Sequence, residues 1–180
     1  MTEGGFGRFF TRVTACHVVT YTIFGILAYT LFEYATAFQS GNLASFMKPT
    51  GSKWVTLGPS FQLVRGLIFA LALYPFRRVF LEEPRGWLKL WGLLLGLGIL
   101  STYGPAPGSV EGIVYTKLPP LGQILGLREV VAQSLAFCLL LVAWYRRPHR
   151  AWGIVMYALT VVFVLMSILG TFAPRPAAFQ

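Results

Sequence analysis

Arg65, Arg128 and Glu129 are charged side chains set inside otherwise apolar runs. A guanidinium in hydrocarbon costs about 2.5–3.5 kcal/mol on insertion scales, so each must face a bundle interior, water or an opposite charge. Gln62 lies three positions before Arg65 on the same helical face, and Glu33, Gln123 and Gln133 bring further polarity to the same level of the neighbouring runs. At the rise of an α-helix, Arg65 is roughly 7 Å, and Arg128 and Glu129 roughly 10–12 Å, inside the ends of their runs. Glu33, Gln62, Arg65, Arg128, Glu129 and Gln133 are therefore expected to share one leaflet, with two positive and two negative charges among them.

Two chemistries follow from that group. Paired guanidiniums at one depth can grip an anionic head group, a carboxylate or an ion bidentately. Alternatively Arg65 with Glu129, or Arg128 with Glu33, make structural ion pairs between helices, or the arginines snorkel to the interface. Glu129 and Gln133 fall on one stripe at i,i+4, while Arg128 is turned about 100° away, so all three cannot point at one spot.

A second candidate is His17 with Tyr21, the start of a series (His17, Tyr21, Gly25, Tyr29, Glu33) that recurs every four residues. Each such step drifts about 40° around a helix, which favours a local pair over a path across the membrane. His17 and His149 are the two histidines, and His149 sits in an arginine-rich turn, so haem held between two histidines is not expected. Cys16 and Cys138 lie in apolar runs without ligand spacing and read as small packing residues. No metal and no cofactor is expected. The chain has no Asp and no GxSxG, HExxH, Walker A or GxGxxG signature. Catalysis is thus not the first expectation, and an intramembrane enzyme acting on a lipid or isoprenoid stays as an alternative.

The elements that position these residues follow from composition. Of 180 residues 56% are hydrophobic and 12% charged, with a mean hydropathy of +0.64, whereas a soluble domain is about 25% charged. Apolar runs cover 13–37, 60–76, 87–103, 121–145 and 151–172, each near the roughly 20 residues that span a bilayer. The expected fold is all-α, a polytopic bundle of five transmembrane helices forming a single membrane-embedded domain over 1–180. Arg8, Arg12 and the Ala35-Thr36-Ala37 triplet give the first run a signal-peptide look, but its length exceeds a signal core and it reads as an uncleaved span. Pro49 and Pro59 break the polar link 38–59, and Pro119-Pro120 suits the first turn of the fourth helix. Trp54, Tyr103 and Tyr115 are interface anchors in the two long links, and the second link, with Glu111, reads first as a loop that shields the bundle end and second as a lid over the charged group. Gly92, Gly96 and Gly98 form a small-residue stripe suited to close helix packing, within the chain or against another subunit.

The net charge of +9 sits mostly in the flanks, where it meets lipid head groups, and no basic stripe suits nucleic acid. One side of the bundle collects nine basic residues (Arg8, Arg12, Arg77, Arg78, Arg85, Lys89, Arg146, Arg147, Arg150) and the other four (Lys48, Lys53, Lys117, Arg175). The positive-inside rule then puts the N-terminus in the cytoplasm and the C-terminus outside. The functional expectation is an accessory or binding subunit of a larger complex in a bacterial inner membrane, contacting lipids and other membrane subunits, with the polar group in the outer leaflet half. A small transporter or channel component is the alternative in a different class.

Overall fold

A computed structural model describes residues 5–39, 41–45 and 47–174, and every regular element among them is helical. Arg175, counted above among the basic residues, lies outside them, as do Ser40 and Phe46 of the first long link. Three helices are long and apolar enough to cross a membrane: α1 (Phe6–Leu31), α9 (Pro120–Arg146) and α10 (Arg150–Gly170). Between them run the short helices α2 (Tyr34–Ala37), α3 (Gly41–Ala44) and α4 (Lys53–Thr56), then α5 (Gly58–Leu73), α6 (Arg77–Leu81), α7 (Gly86–Leu95) and α8 (Val110–Tyr115). The apolar helix α5 is shorter, as is α7, which continues through a π-helical turn over Gly96–Leu100. Leu57 joins α4 to α5 at φ −75°, ψ −5°, and its carbonyl accepts the N–H groups of Ser60 and Phe61 that start α5.

α1 is the central helix, half buried along its apolar span against 11% for α10, and it packs on α5, α9 and α10. Its approach to α5 is set by Gly66: a Cβ there would lie 2.8 Å from the Thr14 Cα. Only a residue without a side chain lets the two backbones come that near, the usual device of helix crossings in membranes. α7 packs on α9 at the periphery, and a Cβ at Gly92 of α7, or at Gly96 or Gly98 of the π turn that follows, would meet nothing within 4 Å among the described residues.

The end of the bundle that carries Arg12, Arg77 and Arg146 is closed. Phe9, Val13, Cys16, Leu81, Leu90, Phe137, Leu141 and Trp144 form a buried core there, and Arg12 lies 5.3 Å over the Trp144 ring. Arg146 donates from Nε to the Leu81 carbonyl at 2.9 Å and from its terminal nitrogen to the Glu83 carbonyl at 2.5 Å. Tyr145 donates to Glu82 at 3.0 Å, and Lys89 pairs with Glu83.

The first span differs from the run read in the sequence. α1 starts at Phe6, since Arg8 and Arg12 are good helix formers, and ends at Leu31 instead of continuing to Ala37. The stop is Glu33, in the left-handed region at φ 47°, where helices ordinarily place glycine. α2 restarts at once, and both Thr36 and Ala37 donate their N–H groups to the Glu33 carbonyl. At the third run the helix unwinds at Ser101 after the π turn. Pro119 and Pro120 open α9 as the sequence suggested.

Candidate functional site

Opposite the closed basic end, α1 and α9 part around a cavity of about 1000 Å³. Its α1 wall is the face of Tyr21, Gly25 and Tyr29, and its α9 wall is Gly122, Gly126, Glu129 and Val130. Gly25, Gly122 and Gly126 all have open space where a Cβ would stand, so the missing side chains are themselves part of the cavity. Phe38, Met47, Trp54 and Pro59 close one side, and Pro107, Leu118 and Pro119 the other. Tyr29 and Ile26 remain exposed (48% and 55%), so the cavity opens at the bundle surface.

Among its polar lining groups, which include Tyr21, Thr22, Thr50 and Gln123, one pair bonds between α2 and α9. Because α1 stops at Glu33, α2 folds back and brings Tyr34 across to α9, where its hydroxyl donates to Glu129 Oε2. Phe38 stacks on Tyr34 at 4.9 Å between ring centroids. Burial, and then the hydrogen bond to Glu129, push the Tyr34 phenol above its ordinary value, because both disfavour the tyrosinate.

The structure divides the six residues grouped by sequence. Glu129 lines the cavity. Arg65 and Arg128 do not: both are exposed, and their guanidiniums lie 5.5 Å over Phe69 and 3.9 Å over Phe32. Glu33 is exposed and serves the chain through its backbone. The ion pair found among the described residues joins Lys89 and Glu83, and neither Arg65 nor Arg128 reaches a carboxylate. Gln133 is half-buried one turn from Glu129. Gln62 turns inward, 7% exposed, to the second candidate.

His17 is buried and its Nε2 lies 2.9 Å from Gln62 Oε1. An amide oxygen can only accept, so His17 carries its proton on Nε2. Gln62 in turn donates to the Gly58 carbonyl at 3.1 Å. Tyr21, read as the partner of His17, has its ring 6.3 Å away and lines the cavity instead, while Phe69 and Phe137 box the imidazole at 4.8 and 5.9 Å.

Gln123 holds the second long link in place. Its Oε1 accepts from Gly108 N–H at 3.1 Å, and its Nε2 reaches the carbonyls of Leu118 and Gly112 at 2.9 and 3.2 Å and Thr116 Oγ1 at 3.2 Å. Gly112 fits only as glycine, since a Cβ would meet the Ala106 oxygen at 2.0 Å. Glu111 bonds back to Gly104 N–H at 3.1 Å within the same link. Sequence reasoning missed Tyr34, hidden inside a presumed span, and the Gly122/Gly126 spacing, whose signal was present at i,i+4. Among the described residues no three of His, Cys or Glu gather as metal ligands. No family model, curated protein or solved structure matches the chain.

Proposed function

We propose that this chain is a five-span membrane protein that binds an amphiphilic molecule in the outer half of its bundle, as a binding or accessory subunit. The observation that carries this reading is the cavity of about 1000 Å³, mostly apolar along its walls, with Glu129 as its charged side chain bonded to Tyr34, and open at the bundle surface. Sites of this kind, concave and mostly apolar with a few placed polar groups, are where small ligands bind. Glu129 lies nine positions after Pro120, about 13 Å along α9, a depth that suits a head group drawn below the interface while its chain stays among apolar side chains.

The five-span arrangement draws support from lengths. The helical stretch over 53–73 amounts to about 30 Å of helix, and the one over 86–100, about 22 Å, extends with its flanks and suits a locally thinned bilayer. Placing the basic end in the cytoplasm follows the positive-inside rule. Transport across the bundle is disfavoured by the apolar core at that end, which leaves no polar path below His17 among the described residues. The open glycine stripe of α7 favours an accessory role, since such faces suit another helix.

Two experiments test the reading. Mass spectrometry of lipid extracts from purified wild-type protein and from a Gly122→Leu/Gly126→Leu variant should find a bound amphiphile in the first and not in the second. Equal recovery from a folded variant refutes the cavity as the site. Single cysteines replacing Lys48 or Lys117 should react with an impermeant maleimide added to whole cells, and cysteines replacing Arg85 or Arg147 should not. The opposite pattern reverses the orientation.

A further inference from the structure

Resting on that cavity, we infer that the molecule it takes is an amphiphile whose head carries a positively charged nitrogen, seated between Glu129 and the surrounding aromatic rings. Glu129 is the one formally charged side chain among the described lining residues. The two guanidiniums expected to make this an anion site do not line it: they lie just outside, over Phe32 and Phe69, near enough for their charge to reach Tyr34 and Tyr21 but not to coordinate a head group inside. Oε2 of Glu129 accepts the Tyr34 hydroxyl, and Oε1 has no donor among the described residues. A carboxylate in an apolar cavity with unused acceptor capacity is complementary to a cation and repels a second anion.

The rings point the same way. Tyr21, Tyr29, Tyr34, Phe38 and Trp54 line the same space, and an ammonium is drawn to aromatic faces within about 6 Å, most strongly where water is excluded. Trp54 already takes one such contact, with Lys48 Nζ 5.3 Å from its ring centroid at the rim. The apolar walls opened by Gly25, Gly122 and Gly126 then receive the chain. Such an ammonium can belong to a free long-chain amine or to an amino-headed phospholipid.

The test holds the full-length protein in neutral maltoside micelles and titrates three probes with the same chain, dodecyltrimethylammonium, dodecanol and dodecanoate, reading occupancy by native mass spectrometry. The ammonium probe should bind at least roughly tenfold tighter than dodecanol, equivalent to about 1.4 kcal/mol, with dodecanoate weakest. Glu129→Gln should abolish the preference for the ammonium and leave dodecanol unchanged. Tyr34→Phe should retain the preference, because it removes the hydrogen bond but not the charge. A contact that served only to latch the helices would instead make the two variants behave alike. Lysophosphatidylethanolamine that displaces the ammonium probe assigns the head to a phospholipid, and failure to displace assigns it to a free amine. If dodecanol binds as tightly as the ammonium, the inference about the head is overturned while cavity binding stands. If no probe binds, cavity binding itself fails.

Discussion

Replacing Tyr34 by Phe removes one hydroxyl and leaves the ring stacked on Phe38. That hydroxyl is the polar tie between α2 and α9, and its acceptor is a carboxylate. Hydrogen bonds to charged groups contribute about 1.5–3 kcal/mol. Tyr34 is only half-buried, so the lower part of that range applies. Beside it, Arg128 lies over Phe32, the residue that ends α1, an exposed cation–π contact of about 0.5–1 kcal/mol, and apolar packing adds to both. Opening of α2 should therefore become about tenfold more frequent, since 1.4 kcal/mol is a factor of ten. Hydrogen exchange is the direct assay, because the amides of Ala37 and Phe38 are bonded to the carbonyls of Glu33 and Tyr34 and exchange when the segment opens. In Tyr34→Phe a peptide over residues 32–39 should exchange about tenfold faster, while peptides from the Phe9 to Cys16 core stay unchanged. Unchanged exchange at 32–39 would refute the assignment of Tyr34 as the tie. Uniformly faster exchange would refute its locality.

Further outcomes are expected elsewhere. Gln62→Leu strips a buried N–H donor of its partner and should lower unfolding stability by about 1–3 kcal/mol, whereas His17→Phe/Gln62→Leu, which removes both polar groups, should recover much of the loss; equal losses in a thermal melt argue against the pair. Gly66→Leu should destabilise by more than about 1–3 kcal/mol, because the crossing with Thr14 has no room and backbone must move; wild-type melting refutes the close crossing. Glu33→Gly relieves a left-handed residue costing about 1–2 kcal/mol, offset by the greater freedom of glycine in the unfolded chain, for a net gain of roughly 0.5–1 kcal/mol; a loss of stability contradicts the αL assignment. Burial and the bond to Glu129 raise the Tyr34 phenol above its ordinary value. A group whose folded value exceeds its ordinary 10.0 loses stabilisation as pH rises above that ordinary value, so alkaline unfolding should begin earlier in wild type than in Tyr34→Phe, relative to each protein's stability at pH 8. Identical alkaline limbs oppose it.

The three long apolar helices α1, α9 and α10 were legible in the sequence as apolar runs near bilayer-spanning length, and the prolines at 119 and 120 marked the start of α9 correctly. The end of α1 was not legible. A left-handed stop is signalled by glycine, and here glutamate occupies it between Phe32 and Tyr34, so the apolar run appeared to continue. That hidden stop concealed the site, because Tyr34 reaches Glu129 only when α2 turns back. The depth of Glu129 could be counted from residue spacing, but the directions of Arg65 and Arg128 could not. A long side chain on a flexible stem chooses among neighbours that lie far off in sequence, and here both chose aromatic rings. Gly122 and Gly126 carry no chemistry of their own, so residue type alone does not mark the positions that make the space.

The stitches of Arg146 to the carbonyls of Leu81 and Glu83 have a mechanical consequence. A helix pinned at both ends behaves as a bridge, whose bending amplitude is greatest at mid-span. α9 is such a beam, 27 residues long, fixed beside Trp144 and tied at its start through Gln123 to the link over 108–118. Its most pliant stretch is therefore the middle, near Gln133, and each end moves with the segment it is stitched to.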